Sequence, residues 1–288
     1  MKKNLFILLF LASTLNLFSQ NSILWEVSGN GLKTPSYVMG TLKFIGEKEF
    51  FIPKEAVSAM KSSKIFAIED QVDHKAQGEL NKAVHFPKGK SLKTELPAID
   101  YQRLTDFFQK EFNISPSRFE SEYAHLIPLA LSINMTRMSL GESVKYYDIE
   151  LLTLAKKNKL KTYSLEPIER ESQAIQAFPM KDQEVALLHS IANFEKQKTE
   201  YKNLEDAYTR GDLDKVFEYS LHPTENNPAF IEAFYTKRNQ EWIAKIDKMI
   251  NDKPSFIAIG VSHLEGDKGI LSLLKEKGYT LTPVKITK

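Results

Sequence analysis

Four polar side chains follow apolar, strand-like segments in this sequence, and their types are those of acid–base catalysis. Lys43 follows YVMGTL, Glu69 ends KIFAIE, Glu166 ends TYSLE and His263 follows SFIAIGVS. In open α/β sheets, ligands bind outside the carboxyl ends of the strands. If these strands are parallel neighbours, an ammonium, two carboxylates and an imidazole gather at one edge. Such a group could activate a water and stabilise a developing oxyanion.

Each of these residues also has an ordinary structural interpretation. A glutamate at a strand end is often solvated or caps a helix, a lone histidine is often a hydrogen-bonded loop residue, and a lone lysine is usually solvated. The joint pattern favours a site. Gly40 and Gly260 stand three residues before Lys43 and His263, and each glycine permits a tight turn or a close backbone approach.

Arg238 is a charged residue on the apolar stripe of the helix that the spacing predicts over 228–250. A buried guanidinium is costly unless a carboxylate or a ligand pairs with it. Two interpretations stay open: a structural salt bridge with one of the two glutamates, or binding of an anionic substrate group. Asn239 is the other polar residue of the same turn.

Gly40, Asn239 and Gly260 are candidates for substrate binding, and so are three further positions. Asp148 lies near the start of a helix predicted over 147–157, where it could simply cap that helix. Gly266 and Gly269 form a Gly-x-x-Gly loop before another helix, predicted over 269–277. Backbone amides at a helix N-terminus can hold an anion, and a plain tight loop explains the same glycines. The other histidines lack metal-ligand spacing, so we interpret them as structural.

The elements that would position these residues predict an α/β fold. Continuous apolar runs predict strands that are buried on both faces, and helical periodicity predicts long helices between them. We expect one domain over 20–288, with a mixed, largely parallel central sheet and a large helical insertion at about 97–240. The predicted strands are 23–27 and 36–40, which form a hairpin, then 64–70, 162–166, 255–260 and 279–286; the long helices include 117–138, 180–210 and 228–250.

The composition is that of a globular protein, and the first residues predict export. Hydrophobic residues make up 42% of the 288 residues, and the absence of cysteine excludes disulfides, thiolate metal sites and a cysteine nucleophile. Residues 1–19 combine two lysines, an apolar run and a small residue near the end, which is typical of a secretory signal peptide. A membrane anchor is the less favoured alternative, because polar residues interrupt the run and it is shorter than a span.

Removing the signal peptide would leave a neutral, lipid-free chain. The two lysines account for the formal net charge of +2, so the mature chain has no basic bias toward nucleic acid. A lipoprotein is excluded because it needs a cysteine. We therefore expect a secreted or periplasmic protein without a membrane anchor after cleavage; the oligomeric state is not defined by the sequence.

These motifs, in this order, resemble the TraB/GumN family, which includes the Tiki metalloproteases. The resemblance covers nearly the whole mature chain, and it implies a fold similar to that of the erythromycin esterase and ChaN-like group. The matching segments are Leu24-Trp25, YVMGTLK at 37–43, Glu69, Asp148, LEPIERESQ at 165–173, Arg238-Asn239 and GVSHLEGDKG at 260–269.

One position departs from the family pattern. The first motif ends in Lys43, where the family has histidine. In Tiki-like members the two Gly-x-x-His motifs are held to supply metal ligands, so the resemblance implies that His263 would bind a divalent ion such as Mn²⁺, Co²⁺ or Zn²⁺. A protonated ammonium has no lone pair for a cation and repels it. Lys43 therefore argues against a metal, and proteins of the similar fold group are held to act without one or to bind haem.

Two functions are compatible with these residues. The first is a hydrolase of a peptide, amide or ester bond, with Glu69 or Glu166 as general base and His263 as acid/base or sole imidazole ligand. Arg238 would hold an anionic group or the oxyanion, and Lys43 would supply the charge that a metal supplies elsewhere. A peptide or amide substrate is implied by the Tiki resemblance alone. The second function is a non-catalytic envelope protein that binds a small molecule or peptide at a degraded site.

Overall fold

A six-stranded, largely parallel sheet forms the centre of the fold. The computed structural model describes residues 22–70, 74–141, 143–220 and 227–288, so the signal peptide predicted at 1–19 lies outside the described residues. The strands are β1 (Leu24–Ser28), β2 (Ser36–Thr41), β3 (Ile45–Gly46), β4 (Ile65–Ile68), β5 (Val144–Lys145), β6 (Lys161–Ser164), β7 (Ser255–Gly260) and β8 (Thr280–Pro283).

The order of the strands brings four carboxyl ends to one edge of the sheet. The order is β6-β4-β7-β2-β1-β8. Strands β6, β4, β7 and β2 are parallel neighbours, while β1 is antiparallel to both β2 and β8. Strands β3 and β5 pair separately. The mixed, largely parallel sheet that the sequence predicts is therefore confirmed, and so is the opening hairpin of β1 and β2.

Burial along the strands explains why the central ones have continuous apolar sequences. Every residue of β4 is buried, and so are the first five of β7, because helices and loops cover both faces of a parallel sheet. Phe66 and Phe256 face each other across these strands with ring centroids 6.2 Å apart. Strand β6 differs from the prediction: it is an edge strand, and two of its four residues are exposed.

Fourteen helices surround the sheet in the part of the chain that the structure describes. They are α1 (Lys54–Ser62), α2 (His74–Ala83), α3 (Leu92–Glu95), α4 (Ala98–Phe112), α5 (Pro116–Glu122), α6 (Pro128–Ser139), α7 (Tyr147–Lys157), α8 (Ile168–Ala177), α9 (Met180–Ala192), α10 (Phe194–Arg210), α11 (Leu213–Ser220), α12 (Pro228–Ile231), α13 (Lys237–Asp252) and α14 (Ile270–Glu276). Among these described helices, none combines the length and the apolar character needed to cross a bilayer.

Two long helices of the prediction are each divided in the structure. The segment 117–138 forms α5 and α6 rather than one helix kinked at Pro128, because the residue before a proline avoids the helical conformation. Leu126 instead forms a β-bridge with His85. The segment 180–210 forms α9 and α10, which are separated at Asn193.

The helix predicted over 228–250 contains a π turn. It begins as α12, continues through a π turn at Glu232–Thr236 and ends as α13. The Lys237 amide donates to the Glu232 carbonyl, five residues back, so this turn holds one residue more than an α-helical turn. Helix α13 packs Trp242 and Ile246 into the main core, and it carries Arg238 and Asn239 toward the carboxyl edge of the sheet.

Candidate active site

Arg238 binds two glutamates at the carboxyl edge of the sheet. Its Nε donates to Glu166 Oε1 at 2.9 Å, and its Nη2 donates to Glu69 Oε2 at 2.9 Å. Nη2 also lies 2.8 Å from Glu166 Oε1, and Nη1 donates to the Phe234 carbonyl at 3.2 Å. Burial opposes the charge, but the two carboxylates raise the pKa of Arg238. Of the two interpretations of Arg238, the salt bridge with the glutamates describes its geometry. Few of its N–H groups remain to bind a substrate anion.

Glu166 is the more deeply buried of the two glutamates that bind Arg238. Its side chain is 1% exposed, and Trp242 Nε1 donates to its second oxygen, Oε2, at 2.9 Å. The Trp242 ring also lies 4.7 Å from the Arg238 guanidinium carbon. Burial raises the pKa of Glu166. Both carboxylate oxygens are engaged, so this geometry favours a positioning role for Glu166 over the general-base role that the sequence allows.

Asn239 determines which ring nitrogen of His263 carries the proton. The Asn239 Nδ2 donates to the carbonyls of His263 at 3.2 Å and of Lys268 at 2.8 Å. Its Oδ1 therefore faces His263 Nδ1, at 2.6 Å, and an amide oxygen can only accept a hydrogen bond. The network thus assigns the proton to Nδ1 and leaves a lone pair on Nε2.

The unprotonated nitrogen of His263, Nε2, accepts a long hydrogen bond from Arg238 and faces the Glu69 carboxylate. Nε2 lies 3.4 Å from Arg238 Nη1 and 3.8 Å from Glu69 Oε2. The imidazole is 4% exposed, and this burial, together with the Arg238 charge, lowers the pKa of His263 to about 3. His263 is therefore a neutral imidazole at pH 7, with its lone pair directed into the Arg238–Glu69 pair.

Glu69 is the more accessible of the two glutamates. Its side chain is 21% exposed, and its Oε1 accepts the Gly260 amide at 2.5 Å. A Cβ atom on Gly260 would lie 2.9 Å from that oxygen, so only glycine permits this approach. Burial acts to raise the pKa of Glu69, but the charges of His263 and Arg238 and the Gly260 amide lower it. Because His263 is neutral at pH 7, Arg238 and the amide keep Glu69 ionised there.

A second group of charged residues surrounds Lys43. Lys43 Nζ lies 3.9 Å from Glu171 Oε1, with side chains 58% and 13% exposed. The Glu171 charge raises the pKa of Lys43. Burial and a hydrogen bond to Glu171 raise the pKa of Asp70 to about 10. Asp70 therefore keeps its proton at pH 7. Burial acts to raise the pKa of Glu171, but the charge of Lys43 lowers it, so Glu171 carries the negative charge of this group.

Asp148 does not cap its helix, which corrects the simplest interpretation of the sequence. The N-cap of α7 is Tyr146, and Asp148 lies in the first turn. Its carboxyl group is hydrogen-bonded to Thr41 at the end of β2. Burial and the nearby Glu69 raise the pKa of Asp148 to about 7. It is thus a half-buried carboxyl group near Glu69 and Lys43.

Five of the predicted site residues line one cavity. The cavity has a volume of about 260 Å³, and its walls include Lys43, Glu69, Arg238 and His263. Phe230, Phe234 and Tyr235 form an aromatic wall beside them, and Gly260 and Glu171 also line it. The sequence-based expectation that residues from distant segments meet in one cleft thus agrees with this geometry.

The Gly-x-x-Gly loop lies outside the lining of this cavity. Gly266 has a φ of +86°, and a Cβ atom on Gly269 would lie 2.2 Å from the Glu265 carbonyl oxygen. Helix α14, which follows, has seven residues. These glycines are explained by the tight loop, and their position does not support substrate binding. Gly40 likewise packs against Val261 and Leu264.

Glu171 and Asp70 are site residues that the sequence reasoning missed. The sequence pattern could have identified Glu171. Ile168 and Ile175 are buried on α8, so positions 168, 171 and 175 lie on one apolar stripe of the helix, and Glu171 is the charged residue in that stripe. The same argument singled out Arg238. For Asp70 the signal was weaker, because it follows Glu69 and a second acidic residue at a strand end is usually solvated.

Comparison with known proteins fits the order of motifs along the chain. The model of the TraB/PrgY/gumN family matches residues 23–283. The chain belongs to this family. A zebrafish (Danio rerio) relative, named "Metalloprotease TIKI1", is 22% identical over 310 aligned positions. The match covers 90% of this family member but 62% of that relative, so the chain spans less than two thirds of its length. No solved structure matches the chain.

The donor set of this family member does not fit a divalent metal ion. Within the described ranges, no group of three or more His, Asp or Glu side chains could hold one. The His263 lone pair has the Arg238 guanidinium 3.4 Å away, and the cavity wall holds the ammonium of Lys43. Both cations would repel a metal ion, so no chemical step is derived through one.

Proposed function

We propose that this chain is a hydrolase that cleaves a peptide, amide or ester bond without a resident metal ion. The observation that carries the proposal is the neutral His263 at the wall of a cavity, whose Nε2 accepts from Arg238 Nη1 at 3.4 Å and lies 3.8 Å from Glu69 Oε2. Family membership, and a relative that is named a metalloprotease, support the reaction class.

His263 is the proton carrier in the proposed reaction. A water in the cavity replaces Arg238 Nη1 as the hydrogen-bond partner of Nε2, attacks the substrate carbonyl carbon and gives its proton to Nε2. As the bond to the leaving nitrogen or oxygen breaks, the imidazolium returns that proton to the leaving group. The Glu69 carboxylate stabilises the transient imidazolium, and the Asn239 amide oxygen keeps the ring oriented through Nδ1.

Lys43 is the group proposed to stabilise the oxyanion. Arg238 already donates to both glutamates and to the Phe234 carbonyl. Among the described residues, Lys43 contacts Glu171 at 3.9 Å; its side chain is 58% exposed and lines the cavity. An exposed ammonium can turn toward a developing negative charge. Glu171 keeps Lys43 near the wall and protonated.

Ligand binding without turnover is a second candidate function. It is favoured by the low basicity of His263, because an imidazole whose pKa is about 3 is a weak general base. In that case the cavity would bind a small molecule or peptide through Lys43 and the aromatic wall.

Both candidates are proposed to act outside the cytoplasm. The basic head, apolar run and small residue within 1–19 support export to the periplasm or the medium. Fractionation of cells that express the full chain tests this: we expect the processed form in the periplasm or medium, and an unprocessed cytoplasmic form would contradict it.

A variant of His263 tests the hydrolase proposal. The full chain is expressed, purified and assayed against peptides, amides and esters, with and without EDTA. We expect turnover that EDTA does not change and that His263→Gln lowers by about 100-fold or more. The matched control is His189→Gln, since His189 is exposed on α9, and it should retain full activity.

Other outcomes separate the alternatives. Turnover that requires an added metal ion would refute the metal-free mechanism. Absence of turnover with every substrate, together with ligand binding that Lys43→Met abolishes, would establish the binding function instead.

A further inference from the structure

A second cavity adjoins the first at Lys43. Its volume is about 230 Å³, and it lies between α2, α6 and α8. Five residues line both cavities, so the two are adjacent and share one wall: Lys43, Leu129, Ile133, Glu171 and Phe234. The far part of the second cavity is mostly aliphatic, with Leu80, Val84, Leu126, Ile127, Ala130 and Ile175.

The distribution of polarity predicts how a ligand would lie. The Lys43–Glu171 pair stands at the junction, and His263, Glu69 and Arg238 line the first cavity alone. Each cavity is smaller than the ~300 Å³ at which ligand pockets of drug-like size begin, whereas the two joined reach that size. A ligand that fills both has a polar group at the junction and an apolar group beyond it.

We propose that the second cavity is a specificity subsite for an aliphatic or aromatic group joined to the scissile carbonyl. This inference rests on the proposed hydrolase function, because the carbonyl must lie at the junction, between Lys43 and His263. The occupant is a short acyl chain or an apolar amino-acid side chain. Its chemistry follows from the aliphatic wall of α2, α6 and α8 and from the wall that this cavity shares with the reaction cavity.

Ester chain length measures the subsite directly. For p-nitrophenyl acetate, butyrate and hexanoate, we expect kcat/KM to rise about fourfold for each methylene that the subsite buries. Ala130→Phe fills the aliphatic part and should abolish this dependence. The matched control is Ala98→Phe, because Ala98 is exposed at the start of α4, and it should retain the dependence.

Enlarging the subsite gives a readout that does not depend on Ala130→Phe folding. Leu80→Ala removes side-chain volume from the α2 wall, so the preferred chain should lengthen by about one or two carbons. A chain-length profile that neither variant changes would overturn the proposal, and so would a preference for the acetate ester in the wild-type protein.

Binding of an uncleaved ligand separates this proposal from the hydrolase proposal. Hexanamide, leucinamide and acetamide are titrated by calorimetry into the His263→Gln protein, which lacks the proposed proton carrier, with and without Leu80→Ala or Ala130→Phe. Hexanamide or leucinamide should bind, and Leu80→Ala and Ala130→Phe should alter that binding. Tighter binding of hexanamide identifies an acyl chain as the occupant, and tighter binding of leucinamide identifies an amino-acid side chain. Such binding without hydrolysis of any ester would refute the enzyme and keep the subsite. If neither amide binds more tightly than acetamide, the subsite is refuted whatever the activity.

Discussion

Replacing Arg238 by methionine should destabilise the protein more than any surface charge change. The substitution keeps a long apolar side chain and removes the guanidinium that contacts both glutamates at 2.9 Å. Glu166, which is 1% exposed, would remain in the core with only Trp242 as a donor. Removing one partner of a buried ion pair costs about 3–5 kcal/mol, because the other charge stays buried without compensation.

That free energy corresponds to a large change in melting temperature. For domains of about 150–250 residues, 1 kcal/mol shifts the melting temperature by about 2–4 °C, so Arg238→Met should lower it by roughly 6–20 °C. Urea unfolding at pH 7, followed by circular dichroism, gives the free energy directly. Arg238→Lys should also be destabilised, since one ammonium cannot reproduce the bidentate geometry.

A surface pair of similar geometry provides the control. Arg170 contacts Glu241 in a bidentate manner at 2.9–3.2 Å, but Glu241 is 50% exposed. Arg170→Met should therefore cost less than about 1 kcal/mol. Adding Glu166→Gln to Arg238→Met should recover part of the stability, because it removes the buried charge. Equal losses in Arg238→Met and Arg170→Met would refute the reasoning.

Three further predictions concern pH, backbone packing and metal. Between pH 6.5 and 4 the free energy of unfolding should fall on acidification by about 1.4 kcal/mol per pH unit from His263 alone, because the folded imidazole has a pKa of about 3 and the unfolded one takes up a proton. Asp70, Asp148 and Glu166, whose pKa values burial raises, act in the opposite direction. The test is therefore the difference between wild type and His263→Gln in urea unfolding, and parallel pH curves would contradict it. Gly269→Ala should lose about 2 kcal/mol or more, since its Cβ would lie 2.2 Å from a carbonyl oxygen. Gly78→Ala, at an interior position of α2 with open space around it, should raise the free energy of unfolding by about 0.5–1 kcal/mol. Thermal unfolding of each glycine variant measures both effects. Elemental analysis should find no stoichiometric divalent metal, and EDTA should leave the melting temperature unchanged; bound metal at one equivalent would show that the cations at Lys43 and Arg238 do not exclude it.

The central sheet and the gathering of strand ends could be predicted from the sequence. A run such as IFAI or SFIAI can be buried on both faces only in a covered parallel sheet, and the residues that follow such strands share an edge. The apolar stripe at 234–246 likewise singled out Arg238, because a charge there needs a partner. These inferences need only local patterns and the burial that they imply.

The partners within the site could not be predicted in the same way. Arg238 binds both glutamates at once, whereas its stripe indicates only that some partner exists. Glu171 pairs with Lys43 from a helix, α8, whose relation to β2 depends on tertiary packing. The separation of α9 from α10 at Asn193 was also missed, because apolar periodicity continues across that break and packing against other helices decides where each ends.

The π turn at Glu232–Thr236 makes the site dependent on the number of residues in the chain as well as on their types. Each residue of an α-helix turns the chain by about 100°. Phe230 lies before the surplus residue, and Arg238, Asn239 and Trp242 lie after it. Inserting one more residue in α13 before Arg238, where no second wide turn accommodates it, would rotate the aromatic wall relative to the charged residues by about that angle. No side chain needs to be altered for the cavity to lose its alignment, so chain length in this turn is itself a determinant of the site.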